Sequence, residues 1–171
     1  MTVPEWCFPA IHALRALLKA EWEKGSKCPC CEQTVMLRKR RVNSGTAEVL
    51  VEIARLTIKL RTKPDHFPFI NVEREIIYGN EKLQGARDWQ TLKFWGLVEP
   101  LDGGTPDSSR VPGEWRLTPK GLWVVEHPEK DLLHSYVLVY NNKKRGESKT
   151  KCSLRDALRR PFDVAEVRRA A

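Results

Sequence analysis

Two adjoining pieces, Asp88–Pro100 (DWQTLKFWGLVEP) and Gly113–Gly121 (GEWRLTPKG), decide how this chain is read. The first predicts a helix from about Ala86 to Trp95, preceded by Gly85 and stopped by Gly96. Trp89, Leu92 and Phe94 are expected to pack inward, leaving Arg87, Gln90, Thr91 and Lys93 outside. Leu97 to Leu101 then reads as a strand. The stretch from Asp102 to Gly113 is rich in Gly, Pro, Ser and Asp and reads as a loop, with Arg110 its one cation. Trp115 and Leu117 alternate with Glu114, Arg116 and Thr118, the pattern of a half-buried strand. Thr118-Pro119 pairs an N-cap with proline at the first helical position, and Leu122, Trp123 and Val125 are expected to dock that helix.

A helix ending in glycine, a strand, a polar loop, a strand and a new helix are the recognition-helix and wing half of a winged helix-turn-helix. Working outward, residues 9–24 predict a helix with Ile11, Leu14, Leu18 and Trp22 on one face and Gly25 just past its end. Ser44 or Thr46 caps another, reaching about Leu60, with Val49, Leu50, Ile53, Leu56 and Leu60 as its stripe. Residues 63–68 hold two prolines and read as a loop. Phe69, Ile70 and Val72 form a short strand or lead into a helix through Ile77. Downstream, Tyr136–Tyr140 is a β run, Asn141-Asn142 with Lys143–Gly146 a turn or longer hairpin loop, and Lys149–Ser153 the returning strand. Ser153 with Asp156 forms a capping box for a short helix broken at Pro161; Asp163 and Glu166 open a last one. The expected fold is thus α+β: a winged helix-turn-helix with a C-terminal β-hairpin and short helices. The expected divisions are 1–43, 44–128 and 129–171.

The charge points to a polyanionic partner. Thirty Lys and Arg face 22 Asp and Glu, a net +8, with pI about 9.4. A basic, solvated surface without a partner gives the same numbers. The cations form clusters: Arg38, Lys39, Arg40 and Arg41; Lys143, Lys144 and Arg145 with Lys149 and Lys151; and Arg159, Arg160, Arg168 and Arg169 near the end. On the winged-helix reading Arg87, Gln90, Thr91 and Lys93 approach base edges, Arg110 and Arg116 the neighbouring phosphates, and the runs 38–41 and 143–145 engage more phosphates. The loop tip is itself near neutral, since Asp102 and Asp107 flank Arg110.

Apolar runs such as Leu122–Val125 fall far short of the ~20 residues that span a bilayer, and MTVPEWCFPA lacks the pattern of a secretory leader. No membrane partner and a cytoplasmic location are expected. Of the five cysteines, three crowd into Cys28-Pro-Cys30-Cys31. A tight C-x-x-C turn can present two thiolates to one Zn²⁺, and a structural site needs four ligands. Cys28 and Cys31, with Cys7 and His12 closing back across the first helix, are the candidate set; Cys30, His66 and Cys152 are further candidates. Free buried thiols are the plain alternative. His12, His66, His127 and His134 fall in unrelated contexts, and H-E-x-x-H, G-x-S-x-G and Walker A patterns are absent, so no enzyme is expected.

The succession CPCCEQTVMLRKRRVNSG, DWQTLKFWGLVEP, GEWRLTPKGLWVVE, YVLVYNN and SLRDALRRPFDVAEV resembles a family of small, mostly uncharacterised bacteriophage proteins over about residues 28–170. Its W-G-L-V-E and W-R-L-T-P-K-G elements are also similar to winged helices of MarR-type regulators. The resemblance implies a phage or prophage origin, a winged-helix core and zinc at Cys28 and Cys31. This chain departs from the family's knuckle at Cys30, a third cysteine, and at Glu32, where glycine is common. The expectation is a DNA-binding protein, a regulator or replication accessory, with double-stranded DNA as partner and homodimer formation plausible. The alternative is a protein-interaction module that blocks a host enzyme or defence complex. A zinc-assisted enzyme is a third.

Overall fold

The computed structural model describes residues 25–28, 32, 34–101, 113–140 and 142–169, with positions 13 and 16, which are helical. The rest of the first expected helix and the loop 102–112 lie outside the described residues. The chain is mixed α+β, built from small antiparallel sheets and helices. It forms two compact units, Met1–Arg40 with Leu138–Gly146, and Arg41–Val137 with Glu147–Ala171. This grouping cuts across the composition-based division: 138–146 joins the N-terminal segment, and the remaining C-terminal residues join 44–128.

The first unit holds strands β1 (Ser26–Lys27) and β2 (Thr34–Val35), paired antiparallel with Ser26 opposite Val35. It also holds β3 (Arg38–Arg40).

In the second unit, helix α1 (Ser44–Leu60) is the centre. Its N-cap is Asn43 rather than Ser44 or Thr46: Asn43 Oδ1 accepts from the Thr46 amide (2.8 Å) and hydroxyl (2.9 Å). Burial goes beyond a stripe. Thr46, Ala47, Val49, Leu50, Val51, Ile53, Ala54 and Thr57 are all buried, whereas Leu56 is half-buried and Leu60 exposed. A helix enclosed this fully must be met from several sides. It is met by the segment 89–95, by α2 (Pro119–Glu126), and by α3 (Leu154–Leu158) and α4 (Val164–Arg169).

After α1, residues 69–77 realise both expected alternatives in succession: strand β4 (Ile70–Asn71), then a single π-helical turn (Glu73–Ile77). Short 3₁₀ helices cover Glu81–Leu83 and Trp89–Trp95. The second of these replaces the expected α-helix. Three residues per turn stack Trp89, Leu92 and Trp95 on one side, and all three are buried. Phe94, expected inside, is half-exposed; Trp95 takes the inward place. Trp89 Nε1 donates to Glu73 (3.0 Å), and its ring meets Trp115 edge-on at 5.0 Å and 74°. Trp95 Nε1 donates to the His134 carbonyl (2.8 Å). Gly96 ends the segment at φ 68°, a left-handed turn that glycine adopts without Cβ strain.

Strands β5 (Val98–Pro100) and β6 (Glu114–Leu117) complete an antiparallel sheet of order β4-β6-β5. Ile70 and Pro100 both lie opposite Trp115, and Val98 lies opposite Leu117. Pro100 is tolerated because β5 is an edge. Thr118 caps α2 as expected, its Oγ accepting from the Gly121 amide (3.0 Å). Trp123, however, faces outward. It is 42% exposed and lies against His127 (4.8 Å) and Lys130 (5.1 Å), while Val124 and Val125 face inward. Gly121 is buried where a Cβ would stand 2.2 Å from the Leu97 carbonyl oxygen, so α2 rides directly on the backbone that leads into β5.

Strands β7 (Leu133–His134) and β10 (Lys151–Cys152) pair antiparallel. Ser153 and Asp156 form the expected capping box of α3. That helix ends on Arg159 in the left-handed region, φ 57° and ψ 22°. Among the described residues no helix is long and apolar enough to cross a membrane.

Candidate nucleic-acid interface

The strongest cationic surface lies in the first unit. Strand β3 carries Arg38, Lys39 and Arg40, and β9 (Lys143–Glu147) carries Lys143, Lys144 and Arg145. Both flank β8 (Val137–Tyr140) in one three-stranded sheet of order β3-β8-β9. Two runs a hundred residues apart in sequence thus occupy the outer strands of one sheet. With neighbouring strands ~4.8 Å apart, β3 and β9 stand about 10 Å apart across β8. Arg38, Lys39, Lys143, Lys144 and Arg145 are exposed, and Arg40 is half-buried. Val139 is buried on β8, with Leu138 and Tyr140 half-buried.

Lys143–Gly146, expected as part of a turn, is therefore strand. Only two residues, Asn141 and Asn142, separate β8 from β9, and Asn142 has φ 57°. Asparagine tolerates that left-handed conformation better than most side chains, and so short a link requires antiparallel pairing. Strands β3 and β8 carry no acid, and the one acid of β9, Glu147, meets His134 Nε2 at 3.2 Å.

Residues 86–95 present less than their sequence suggests. Arg87 and Gln90 are exposed. Thr91 is half-buried, its hydroxyl donating to the Asp88 carbonyl (2.7 Å). Lys93 is half-buried, with Nζ 5.3 Å from the Phe94 ring and 5.9 Å from that of Trp115. Arg116 is held by the Glu99 carboxylate opposite it and lies over Phe69 at 5.1 Å. Arg110 is outside the described residues.

The C-terminal arginines are largely neutralised within the second unit. Arg160 grips Glu48 through both ends of its guanidinium (Nη2 to Oε2, 2.7 Å), and that carboxylate raises its pKa. Arg168 pairs with Glu126 (3.3 Å) and Arg169 with Asp163 (3.1 Å).

At the cysteine turn, Cys28 is half-buried directly after β1, and its carbonyl accepts from the Glu32 amide (2.7 Å). Glu32 has φ 56°, a left-handed position that favours glycine. Glutamate is not the easiest residue for that conformation. Cys31, Cys30, Cys7 and His12 lie outside the described residues. His66 is exposed, and Cys152 belongs to the other unit. Burial, and then the charges of Asp156 and Asp131, push the Cys152 thiol up, which suppresses the thiolate needed for ligation or attack. Among the described residues no group of three or more potential ligands gathers.

The described histidines serve local structure. His127 Nδ1 meets the Trp123 carbonyl (2.9 Å) and His134 Nδ1 the Ser148 carbonyl (2.6 Å). Sequence reasoning overlooked the setting of Lys149 and Arg159, which line one cleft with Arg41. A left-handed arginine and a surplus strand residue leave no local signal in composition. Comparison with protein-family models, with curated proteins and with solved structures finds no match to this chain.

Proposed function

We propose that this chain binds double-stranded DNA, and that the cationic strands β3 and β9 are its main grip. The observation that carries this reading is the meeting of the 38–40 and 143–145 runs on the two outer strands of one sheet. Rows about 10 Å apart match the scale of DNA grooves, roughly 6–12 Å wide, so they can reach the two phosphate backbones that border one groove. Phosphate contacts give affinity and register without reading sequence.

The second unit supports the winged-helix half of the reading. Its order of helix α1, strand β4, three short helical segments, β5 and β6 is compatible with a winged helix-turn-helix, and so is the sheet order β4-β6-β5. Gln90, within the last of these segments, and Arg87, just before it, are the outward side chains. A role as a regulator or replication accessory suits such a protein. Electrophoretic mobility shift across a salt series tests the proposal. Six phosphate contacts give a log–log slope of about −5, at −0.9 per contact. A slope near zero removes it.

One observation favours a second reading. Thr91, Lys93 and Arg116 are engaged inside the protein, which leaves few side chains to read bases. A module that blocks a host protein through the same cationic sheet needs no base readout. Saturable capture of an acidic protein with no duplex affinity at low salt supports that reading instead. The turn closed from Glu32 to Cys28 also supports a zinc knuckle at Cys28 and Cys31. Metal analysis of purified protein checks it, with about one zinc per chain as the expected result.

A further inference from the structure

The second unit contains a cleft of about 760 Å³ whose lining includes Arg41, Asn43, Ser148, Lys149, Thr150 and Arg159. Two backbone irregularities converge on it. The Ser148 amide donates to the Tyr136 carbonyl (3.0 Å), and the Ser135 amide donates to the Thr150 carbonyl (3.0 Å). Between these contacts one strand advances a single residue and the other two, so Lys149 is surplus, a β-bulge. Ser148 closes the bulge: its Oγ accepts from the Thr150 amide (3.0 Å) and from the Ser135 hydroxyl (2.9 Å). Bulges re-aim a side chain, and they cluster next to binding sites. The second irregularity is Arg159. It occupies the left-handed position that ends α3, where glycine is the easy residue, yet keeps a long cationic side chain.

Each departure places a cation in the lining of the same cleft, and Arg41 adds a third. Two carboxylates also line it, and both are engaged: Glu147 faces His134 (3.2 Å), and Asp156 accepts from the Ser153 amide (3.1 Å) and hydroxyl (2.7 Å). Arg41, Lys149 and Arg159 make no ion pair with a carboxylate among the described residues.

We propose that this cleft binds a phosphate group, held by Arg41, Lys149 and Arg159 with the hydroxyl of Thr150 and the carboxamide of Asn43 at its edge. Guanidinium and ammonium groups form short, charge-assisted hydrogen bonds to phosphate oxygens, and a recess suits an end-on phosphate better than one in the middle of a strand. The proposal does not depend on the cationic sheet binding DNA.

The test uses the full chain. Inorganic phosphate and adenosine monophosphate are titrated while the amide resonances of Ser148, Lys149 and Thr150 are followed. Saturable shifts confined to this region are expected, and Arg159→Gly weakens binding about tenfold, the effect of losing one charge-assisted contact. That same variant relieves the left-handed strain, so its melting temperature rises by about 2–4 °C. Weaker binding by a more stable protein cannot come from misfolding. Lys149→Ala serves as the second variant and weakens binding similarly. Strands with a 5′-phosphate and a 5′-hydroxyl separate the sources. Tighter binding of the phosphorylated strand assigns the group to a nucleic-acid end, and equal binding assigns it to a free phosphorylated molecule. Absence of saturation with both small probes, or affinity unchanged in both variants, overturns the proposal.

Discussion

The two units use arginine and lysine differently. In the second unit Arg116, Arg160, Arg168 and Arg169 each face a carboxylate, Glu99, Glu48, Glu126 and Asp163 in turn, and so tie elements together. In the first unit, strands β3 and β9 bring six cations beside a strand that carries no acid. Basic residues thus tie elements together in one place and line the outer strands of one sheet in the other.

Exchanging charges between the two regions is the sharpest way to break this contrast. Arg38, Lys39, Lys143 and Lys144 all changed to Gln should lower duplex affinity by about a hundredfold to a thousandfold at 0.1 M salt and flatten the salt slope by about 3–4. Arg168 and Arg169 changed to Gln should alter affinity by less than about threefold, since both are already paired. Mobility shifts of the two variants on one duplex decide it. Equal losses would show that only net charge matters.

The seating of α2 within the second unit is tested at Gly121. A Cβ there would meet the Leu97 carbonyl oxygen at 2.2 Å and Leu117 Cδ1 at 2.8 Å. Because backbone cannot retreat as a flexible side chain can, Gly121→Ala should cost about 3 kcal/mol of unfolding free energy in denaturant titration. Unchanged stability would mean that α2 is not seated on the backbone that leads into β5.

What could be read in advance was local. The span of α1, the Thr118-Pro119 start and the Ser153–Asp156 capping box each depend on residues within one turn, and all three formed. The 89–95 segment was ambiguous because Trp89, Leu92 and Trp95 satisfy a three-residue repeat as well as a 3.6-residue one. Lys143–Gly146 read as turn on its charges and glycine, but pairing with β8 makes it strand. Tertiary context overrides such weak local preference. The candidate site was legible only as separate basic runs. Which of them would meet, and which would find acids such as Glu48, 112 residues from Arg160, is set by contacts that no local pattern encodes.

A smaller effect sharpens the contrast from the other side. Glu48→Gln removes the hydrogen-bonded carboxylate partner of Arg160, which is 40% exposed and still has Glu166 at 3.9 Å, so the loss of stability should be only about 0.5–1 kcal/mol. The change takes one negative charge off the surface of the second unit. Duplex affinity should rise slightly, by about twofold at low salt, if charge pairing is what silences this region. Affinity unchanged at low salt, in a variant whose melting point has dropped, would mean that geometry rather than pairing excludes the second unit.

The smallest effect concerns acid. Hydrogen bonds from the Ser153 hydroxyl and amide hold the Asp156 carboxyl below its ordinary value of 3.8, with Arg155 adding to the shift. A carboxylate whose pKa is depressed on folding contributes stability that is fully present above the unfolded value. That contribution is lost as pH falls through the lower, folded value. The carboxyl is almost fully exposed, so solvent screens the gain and the effect is modest. Asp156→Asn should therefore reduce stability at neutral pH and leave it nearly equal to the parent at the most acidic pH where both remain folded. Denaturant midpoints of the two proteins, compared from pH 6 down to about 3, should converge. Parallel curves would show that the capping box holds α3 by geometry alone, and that the second unit's charges matter less to its fold than their pairing implies.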